Sequence, residues 1–457
     1  MPSPWKAVLA LLLAAPWTPP AAAEDEPTPR EAPRRYVIER VDVVGLVKTR
    51  EEEVRRRLLV SAGEVLDDER VLLSRLRLLQ LGWFSGVTTR VERGSERGRV
   101  VLVFDLAERN TLLASDLVLG WTPPQGLYGG FGLAQQNFLG RGLGLSGAFV
   151  YGGSRLDRPQ DPSLFGVRAG FFAPDVPAKR QRLVAGATAL FLRGEELTCS
   201  DPECDAYAGD LGGAPRLRFE RLGAEAVLGF RPGPFERLTG SIRLEAISAE
   251  RVPGTGTDLG PAPFVLPGES LLTALTGTYE IDTRDDFFFP RAGVRATAQI
   301  TFASRFLGGD YDYSRYLVQL ESAFAIFKKR LRLQAAAGAV QGDAPFFDRF
   351  YAADFSYFSI GPALWRGMEL NFSTDSRYDS AVAMAGLEYG LPLWSRGGFL
   401  RRGYLALGLR GVYTTAGPGA GRTRASSWPV SGEVALRLDT PVGFVNLSAG
   451  ALLDFFL

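Results

Sequence analysis

Residues 430–439 read VSGEVALRLD, and this stretch decides the fold of the chain. Successive side chains of a β-strand point to opposite sides, so Val434 and Leu438 fall on one face and Arg437 on the other. Segments of about ten residues that alternate in this way are typical of barrel strands with lipid outside and water inside. The stretch therefore predicts one strand of a transmembrane β-barrel.

The same alternation recurs through most of the chain after residue 110, for example in 242–246 (IRLEA) and 313–327 (YSRYLVQLESAFAIF). A soluble β-sandwich can alternate too, but strands over residues 111–457 would make an oversized soluble sheet. A membrane barrel uses this length naturally. We predict an all-β transmembrane β-barrel of about 16 antiparallel strands over residues 111–457.

The first residues have the features of an exported chain. Lys6 precedes an apolar run and Ala21-Ala22-Ala23 forms a small-residue cleavage site, so residues 1–23 are predicted to be a signal peptide. Residues 24–35 are rich in Pro, Glu and Arg without periodicity, which predicts a flexible linker. No later stretch approaches the ~20 apolar residues of a membrane-spanning helix. If this protein spans a membrane, it is therefore expected to do so as a β-barrel.

A small α/β domain is predicted over residues 36–109, because the hydrophobic period changes from strand to helix and back. The predicted order is strand, helix, helix, strand, strand. Thr49 and Glu52 belong to a capping box before the first helix, and Asp67 caps the second. The i, i+4, i+7 spacing predicts that the inward face of the second helix consists of Leu72, Leu76 and Leu79.

The charge balance and the lack of histidine exclude several functions. The chain has 52 basic and 51 acidic residues, so its net charge of +1 does not favour nucleic acid. Without histidine, Ser-His-Asp and Cys-His triads and HExxH zinc sites are impossible. We expect no enzyme activity, no catalytic or metal site, no cofactor and no nucleic-acid partner.

The two cysteines, Cys199 and Cys204, lie in the polar stretch TCSDPECD of a chain that we expect to be exported. A disulfide within this loop is the favoured interpretation. A metal pair is the alternative, and it is disfavoured because two thiolates alone do not complete a tetrahedral site.

Connections between the predicted strands alternate in length, as membrane barrels require. Short connections include residues 139–142, 231–234, 328–330 and 440–443. Long connections include residues 194–215, 251–269 and 344–377. The short set is expected on the side of the N-terminal domain, and the long set, with the cysteines, on the other. Several short turns are basic, which suits phospholipid headgroups; ordinary solvated turns explain them equally well.

An α/β unit of this order followed by such a barrel resembles the BamA/TamA family of outer-membrane assembly and translocation proteins, whose N-terminal units are POTRA domains. The segments that carry the likeness are 81–84 (LGWF), 108–111 (ERNT), 135–142 (QQNFLGRG), 282–293 (DTRDDFFFPRAG) and 344–352 (APFFDRFYA). Their order and spacing make the likeness specific. It implies a bacterial outer-membrane protein whose N-terminal domain lies in the periplasm.

The resemblance also implies a loop that folds back into the barrel. In the family a long connection carries an Arg-Gly-aromatic motif, and Trp365-Arg366-Gly367 take its place here, with Met368 instead of the aromatic residue. The family's arginine meets an acidic residue on the next strand, which Glu388 matches. A second acid, expected one strand later, is replaced by Leu409 or Arg410. We expect the arginine to approach Glu388; an incidental arginine in a surface loop is the alternative.

The strand count after that loop is unusual for the family. The predicted strands are residues 381–391, 404–414, 430–439 and 444–456, which is one fewer than the family's register gives. An antiparallel barrel with an odd number of strands closes only through one parallel pair. Two explanations stay open. Either two upstream strands were counted as one, or the barrel closes through an unusual seam between its first and last strands.

The resemblance implies assembly, insertion or translocation of client proteins. The domain would offer a strand edge to clients by β-augmentation, through residues Val87, Thr88, Thr89, Arg90 and Val91. The barrel would insert or pass the client at a seam between its first strand, near residues 112–121, and its last. Expected partners are unfolded outer-membrane proteins or other secreted clients, outer-membrane lipid and accessory assembly proteins.

Two other functions compete with this hypothesis. The alternative is a passive outer-membrane channel or a structural outer-membrane protein with a periplasmic appendage. A two-partner secretion transporter is less favoured, because such proteins usually carry two POTRA domains and a plug helix that this sequence does not show. A single domain of this kind also argues against the essential assembly role, for which the family usually uses several.

Overall fold

The computed structural model describes the chain from residue 36 onward, with gaps. The described residues are 36–122, 126–152, 164–177, 182–197, 216–252, 265–287, 289–327, 329–350, 380–394, 402–415, 428–440 and 443–455. The predicted signal peptide and linker lie outside them. No helix in the described part is long and apolar enough to cross a membrane.

An N-terminal domain of three strands and two helices precedes the barrel. Its elements are β1 (Val37–Val44), α1 (Glu51–Arg55), α2 (Asp68–Gln80), β2 (Phe84–Arg93) and β3 (Arg99–Glu108). The strand order is β1-β3-β2, with β1 parallel and β2 antiparallel to the central β3. The buried core of the domain includes Ile38, Val54, Leu58, Leu78, Trp83, Phe84, Val87, Leu102, Phe104 and Leu106.

Helix α2 begins as the sequence predicts but turns a different face inward. The Asp67 side chain accepts hydrogen bonds from the N–H groups of Glu69 (2.9 Å) and Arg70 (3.3 Å). Leu72, predicted to point inward, is 50% exposed, whereas Leu78 is fully buried. The prediction for Leu72 was wrong because leucines lie on more than one face of this helix, so their spacing does not fix its rotation.

Helix α1 is short and lacks the predicted capping box. Arg50 occupies its N-cap position, and no side chain caps the helix there. Thr49 is buried, and its hydroxyl accepts a 2.9 Å hydrogen bond from Asn137 of the barrel. The Glu108 carboxylate accepts hydrogen bonds from the N–H groups of Lys48 (2.9 Å) and Thr49 (2.8 Å). Tertiary contacts therefore replace the local cap.

The barrel wall contains fifteen strands in the part of the chain that the structure describes. They are β4 (Leu112–Thr122), β5 (Gly126–Phe138), β6 (Leu143–Gly152), β7 (Leu164–Pro177), β8 (Arg182–Leu197), β9 (Arg216–Phe230), β10 (Glu236–Arg251), β11 (Gly268–Asp282), β12 (Gly293–Ala303), β13 (Tyr313–Ile326), β14 (Lys329–Gly342), β15 (Ala381–Trp394), β16 (Arg402–Thr415), β17 (Trp428–Thr440) and β18 (Gly443–Phe455). Each strand pairs antiparallel with the next one along the chain.

A short parallel contact closes the ring between the first and the last barrel strand. In it, β18 pairs with β4 through Phe444 opposite Leu113 and Val445 opposite Ala114. An odd number of alternating strands leaves the first and last strands running in the same direction, so only a parallel pair can close the ring. The described strands therefore favour the explanation by an unusual seam over the explanation that two upstream strands were counted as one.

The alternation in the sequence separates the two faces of the barrel wall. On β17, Val434 is 51% exposed whereas Arg437 is buried. On β10, Ile242 and Leu244 are exposed and Arg243 between them is buried. The apolar face lies outside and the charged face inside, as a lipid-facing barrel requires. The predicted fold, a transmembrane β-barrel preceded by a small α/β domain, is confirmed.

The barrel interior differs between its two ends. We call the end that contacts the N-terminal domain the near end, and the opposite end the far end. An apolar cluster occupies the far half of the interior and includes Val150, Leu192, Phe219, Ile247, Leu272, Phe346, Phe347 and Phe350. Buried ion pairs lie in both halves: those of Glu280, Glu321 and Glu388 with neighbouring arginines are in the near half, and that of Glu195 with Arg216 is in the far half.

Candidate functional site

The N-terminal domain presents β2, which carries the five residues predicted to bind clients, at one edge of its sheet. Val87 is 2% exposed and packs into the domain core, whereas Thr88, Arg90 and Val91 are exposed. Thr89 is intermediate. The edge position suits strand addition, but the client-binding role of these residues stays a prediction.

Two arginines donate hydrogen bonds to backbone carbonyls at this edge. Arg75 of α2 donates a hydrogen bond to the Val87 carbonyl (2.8 Å), and Arg402 of β16 donates one to the Ser85 carbonyl (2.9 Å). Every second residue of an edge strand turns its backbone groups outward, so the next such residue is Thr89. Because no side chain in the described part donates to the Thr89 carbonyl, the accessible part of the edge begins there.

The seam between β4 and β18 is the second edge of interest. Two residue pairs join these strands, whereas the other neighbouring strands of the described wall are joined by nine to fifteen. Unpaired backbone groups are costly in the hydrocarbon core of a membrane and readily accept another strand. The seam is therefore the weakest line of the described wall and the place where a further strand can add.

Glu388 is buried in the lumen, where three arginines surround its carboxylate. Arg437 donates hydrogen bonds of 2.8 and 2.6 Å to it, and Arg330 donates one of 2.9 Å. Arg332 lies 3.6 Å away, and the Glu388 side chain is 3% exposed. Glu388 therefore has ion-pair partners on β14 and β17, and Arg366 would be a fourth arginine beside one carboxylate.

Five predicted residues lie outside the described residues: Trp365, Arg366, Gly367, Cys199 and Cys204. The contact between Arg366 and Glu388, and the disulfide, therefore stay predictions. At the position of the second expected acid, Leu409 faces outward with 57% exposure and Arg410 is buried. Arg410 donates a 3.3 Å hydrogen bond to Gln334. The lumen position on β16 is thus basic, as the departure of the sequence from the family's pattern suggested.

A loop anchor that the sequence analysis missed lies at the start of the long connection after β14. Asp348 accepts a hydrogen bond from Arg243 (3.0 Å) and another from the Tyr313 hydroxyl. The guanidinium of Arg221 lies over the neighbouring Phe347 ring, with its Cζ atom 3.5 Å from the ring centroid. The available signal in the sequence was a single acid within a run of phenylalanines. The start of this connection therefore enters the lumen and is held there by a buried ion pair.

The connection between β11 and β12 joins the N-terminal domain to the charges of the lumen. Gln80 of α2 donates hydrogen bonds to the carbonyl of Asp282, the last residue of β11 (3.0 Å), and to that of Arg284 in the connection (2.8 Å). Arg284, in the same connection, pairs with Glu321 at 3.0 Å. Glu321 pairs with Arg332 at 3.1 Å, and Arg332 reaches Glu388 at 3.6 Å. A continuous series of polar contacts thus runs from the domain to Glu388.

Two glycines in the connection between β5 and β6 let the domain approach the barrel. Gly140 and Gly142 have φ angles of +69° and +68°, in the left-handed region that favours glycine. The Gly140 carbonyl accepts a 3.0 Å hydrogen bond from the Arg50 N–H. A Cβ atom on Gly140 would lie 1.9 Å from the Lys48 carbonyl oxygen, and one on Gly142 would lie 2.8 Å from the Trp83 ring. The QQNFLGRG segment is therefore a docking surface for the domain.

Family models match both parts of the chain. The Omp85 superfamily domain matches residues 137–451. A POTRA model, described as surface antigen variable number repeat, matches residues 36–109. No curated protein sequence matches the chain.

Three solved structures are similar to the chain, and the one with a TM-score above 0.5 supports the fold. CdiB from Escherichia coli matches with a TM-score of 0.58 at 11% sequence identity, over 92% of this chain and 73% of that one. BamA from Haemophilus ducreyi lacking POTRA domains 1–3 matches with a TM-score of 0.46 at 17% identity, over 93% and 82%. CdiB from Acinetobacter baumannii matches with a TM-score of 0.45 at 11% identity, over 92% and 74%. Such identities bear on the fold alone. Because the superfamily model covers most of the barrel and the POTRA model covers the domain before it, the chain belongs to the Omp85 superfamily.

Proposed function

We propose that this protein inserts or translocates client proteins at the bacterial outer membrane, with its N-terminal domain in the periplasm. Membership in the Omp85 superfamily supports a role in protein assembly or transport. The observation that carries the proposal is the seam, where two residue pairs join β4 to β18. A client strand would pair with the backbone groups of this seam while it enters or crosses the membrane.

The N-terminal domain would receive the client first. The accessible part of β2 begins at Thr89, and its domain contacts the near end of the barrel through Gln80 and Arg50. Strand addition relies on main-chain hydrogen bonds, so it accepts many sequences. The clients would be unfolded outer-membrane proteins or other secreted chains, with outer-membrane lipid and accessory assembly proteins as further partners.

The contents of the lumen weigh against a passive channel. Phe346, Phe347 and Phe350 pack inside the far half of the barrel together with side chains from the wall. The near half holds buried ion pairs, such as that of Arg437 with Glu388. A diffusion pore needs a continuous aqueous path, and these side chains occupy the interior where that path would run.

A lock across the seam tests the proposal. Cysteines would replace Leu113 and Phe444, which are register partners across the seam, in a background without the native cysteines. The matched control is a pair at Leu183 and Phe230, register partners in the fully paired β8–β9 contact. The probe is a urea-denatured outer-membrane barrel protein added to vesicles that contain the variant, and insertion is read from its folded-form gel shift and protease protection.

Oxidation of the seam pair should abolish insertion, and reduction should restore it, because the strand edges are then released. The control pair should have no effect in either state. Unchanged insertion with the seam locked would overturn the seam mechanism. Ion conductance without insertion, in locked and unlocked protein alike, would instead indicate a passive channel.

A further inference from the structure

A cleft lined by four arginines and four acidic residues lies between the N-terminal domain and the near end of the barrel. It has an empty volume of about 870 Å³, including its opening to solvent. Residues of α2, of the segment after α1, of strands β7, β10 and β11, and of the connection β9–β10 are among those that line it. Its basic lining residues are Arg57, Arg77, Arg231 and Arg237.

Arg77 is buried in this cleft without a partner. Arg77 is 6% exposed. In the described part of the chain, no group accepts a hydrogen bond from its guanidinium or forms an ion pair with it. Burial, together with the nearby charges of Arg182 and Arg231, lowers the pKa of Arg77 to about 9. Asp175 is the acid whose charge acts on Arg77, but its carboxylate also forms a 3.7 Å ion pair with Arg57. A buried arginine in such surroundings is costly unless an anion compensates it.

Two arginines of the barrel face the same region. The Arg231 N–H donates a 3.2 Å hydrogen bond to the Arg182 carbonyl, which holds these residues side by side. The Arg231 guanidinium donates to the Pro174 carbonyl at 3.2 Å, and the Arg182 guanidinium donates to the Arg56 carbonyl. One buried nitrogen of Arg182 has no hydrogen-bond partner. Both acceptors are neutral, so they do not compensate the two positive charges.

The acids that line the cleft each have a partner other than Arg77, Arg182 or Arg231, in two cases another arginine of the lining. Their partners are Arg237 for Glu280 (2.8 Å), Arg284 for Asp282 (2.8 Å), Arg57 for Asp175 (3.7 Å) and Tyr279 for Glu236. Within the described residues, no acid forms an ion pair with Arg77, Arg182 or Arg231, so the positive charges of these three side chains remain available to an anion.

We propose that Arg77, Arg182 and Arg231 form a binding site for a phosphate-class oxyanion, supplied by a phospholipid headgroup or by free phosphate. Guanidinium groups present planar pairs of donors that match phosphate oxygens. Because Arg77 belongs to α2 and the other two belong to the ends of β8 and β9, the bound anion bridges the domain and the barrel. Its occupancy therefore stabilises the docked position of the domain.

Titration of the full-length protein in detergent tests this site. Inorganic phosphate is added against a background of chloride at constant ionic strength, and binding is followed by calorimetry. We expect saturable binding that Arg77→Gln weakens about tenfold or more, since one charge-assisted contact is lost. Arg70→Gln is the matched control, because Arg70 lies on the same helix, is partly exposed and pairs with Glu64 at 3.0 Å. This control should bind phosphate as the unmodified protein does.

A second substitution guards against misfolding. If Arg77→Gln does not give the folded barrel in a heat-modifiability gel, Arg231→Gln removes a barrel-side charge and should weaken phosphate binding similarly. The proposal is overturned if the unmodified protein binds no phosphate, or if Arg70→Gln weakens binding as much as the cleft variants do.

Native mass spectrometry distinguishes the two sources of the anion. The protein is released from nanodiscs that contain phosphatidylglycerol. Retention of one lipid by the unmodified protein, its loss in Arg77→Gln and its displacement by phosphate identify a headgroup site. Phosphate binding that depends on Arg77, without a retained lipid, identifies a site for free phosphate. Equal lipid retention in Arg77→Gln and Arg70→Gln, together with equal phosphate binding, contradicts both.

Discussion

Asp348 and Arg243 meet inside the barrel, where the carboxylate accepts a 3.0 Å hydrogen bond from the guanidinium. Asp348 belongs to the connection after β14, and Arg243 belongs to β10. Both side chains are buried. Because a buried charge is tolerated only with a partner, this contact fixes the start of the long connection to the lumen wall.

Replacing Asp348 with Ala should release that connection. It leaves Arg243 buried with only the more distant Glu245 (3.9 Å) as an acidic partner, and loss of a buried ion-pair partner costs up to about 3–5 kcal/mol. We expect a lower temperature for the loss of the folded gel band and faster trypsin cleavage after residue 350. Glu250→Ala is the control, because the Glu250 side chain is 65% exposed and pairs with Arg218 at 3.0 Å. Such a pair contributes ~0–1 kcal/mol, so equal effects of the two substitutions would contradict the anchor.

Glu388→Ala should destabilise the barrel more than Arg366→Ala does. It removes the carboxylate shared by Arg330, Arg332 and Arg437, whereas Arg366→Ala removes one arginine from a lumen that already holds these three. The double variant decides whether Arg366 reaches Glu388. A coupling energy above about 0.5 kcal/mol supports that contact, and additive effects exclude it. The measurement is the thermal midpoint of the folded gel band for all four proteins.

Gly140→Ala should undock the N-terminal domain. The added Cβ atom would lie 1.9 Å from the Lys48 carbonyl oxygen at a φ of +69°. Gly63→Ala is a matched control, since its φ is +86° and its Cβ atom would meet nothing within 4 Å. The left-handed conformation itself costs about 1–2 kcal/mol for a non-glycine residue. Limited proteolysis at the domain junction should accelerate for Gly140→Ala only; equal acceleration in both would indicate backbone strain without a docking role.

Glu108 makes the start of α1 sensitive to acid. Its partial burial favours the neutral form, but the N–H groups of Lys48 and Thr49 outweigh this effect and hold the pKa of Glu108 below its ordinary value. A carboxyl group with a lowered folded-state pKa stabilises the fold above its ordinary pKa of about 4.3. That stabilisation is lost as the pH falls through the folded-state pKa.

Hydrogen exchange measures this pH dependence. After correction for intrinsic rates, the amides of Lys48 and Thr49 should be protected at neutral pH and lose protection below about pH 4. In Glu108→Gln the protection should be weaker at neutral pH and nearly independent of pH. A pH step of the same size in both proteins would assign the effect to another group.

The Cys199–Cys204 disulfide should be dispensable for assembly. A disulfide that closes so short a loop stabilises by at most about 2–3 kcal/mol. The hydrogen bonds of a membrane barrel have no competing water, so the wall does not depend on this loop. We expect Cys199→Ser/Cys204→Ser to give the folded gel band in normal yield, and failure to enter the membrane would contradict this expectation.

The strands were predictable because burial alternates along many of the described strands, for example along β9 and β10. The stretch 430–439 lies within β17 (Trp428–Thr440), and the predicted strand 381–391 lies within β15 (Ala381–Trp394). The helix of the domain was harder, since leucines on several faces left its rotation open. Leu72 was therefore assigned inward although it is exposed.

The site was only partly predictable, because it depends on contacts across the lumen. Glu388 could be identified as a lumen acid from its position between apolar neighbours. Its partners Arg330 and Arg437 could not be identified, since which strands face each other depends on the barrel register. Asp348 was missed for the same reason: its partner Arg243 is 105 residues away in the chain.

The shared direction of β4 and β18 constrains the number of strands that a guest can contribute. A single strand that lies antiparallel to β4 also lies antiparallel to β18, so one guest strand completes an all-antiparallel ring. The same holds for three or five, whereas a guest hairpin recreates a parallel contact. An all-antiparallel hybrid ring therefore contains an odd number of guest strands. A client barrel with an even number of strands would have at least one strand outside the hybrid ring whenever that ring is closed in this way.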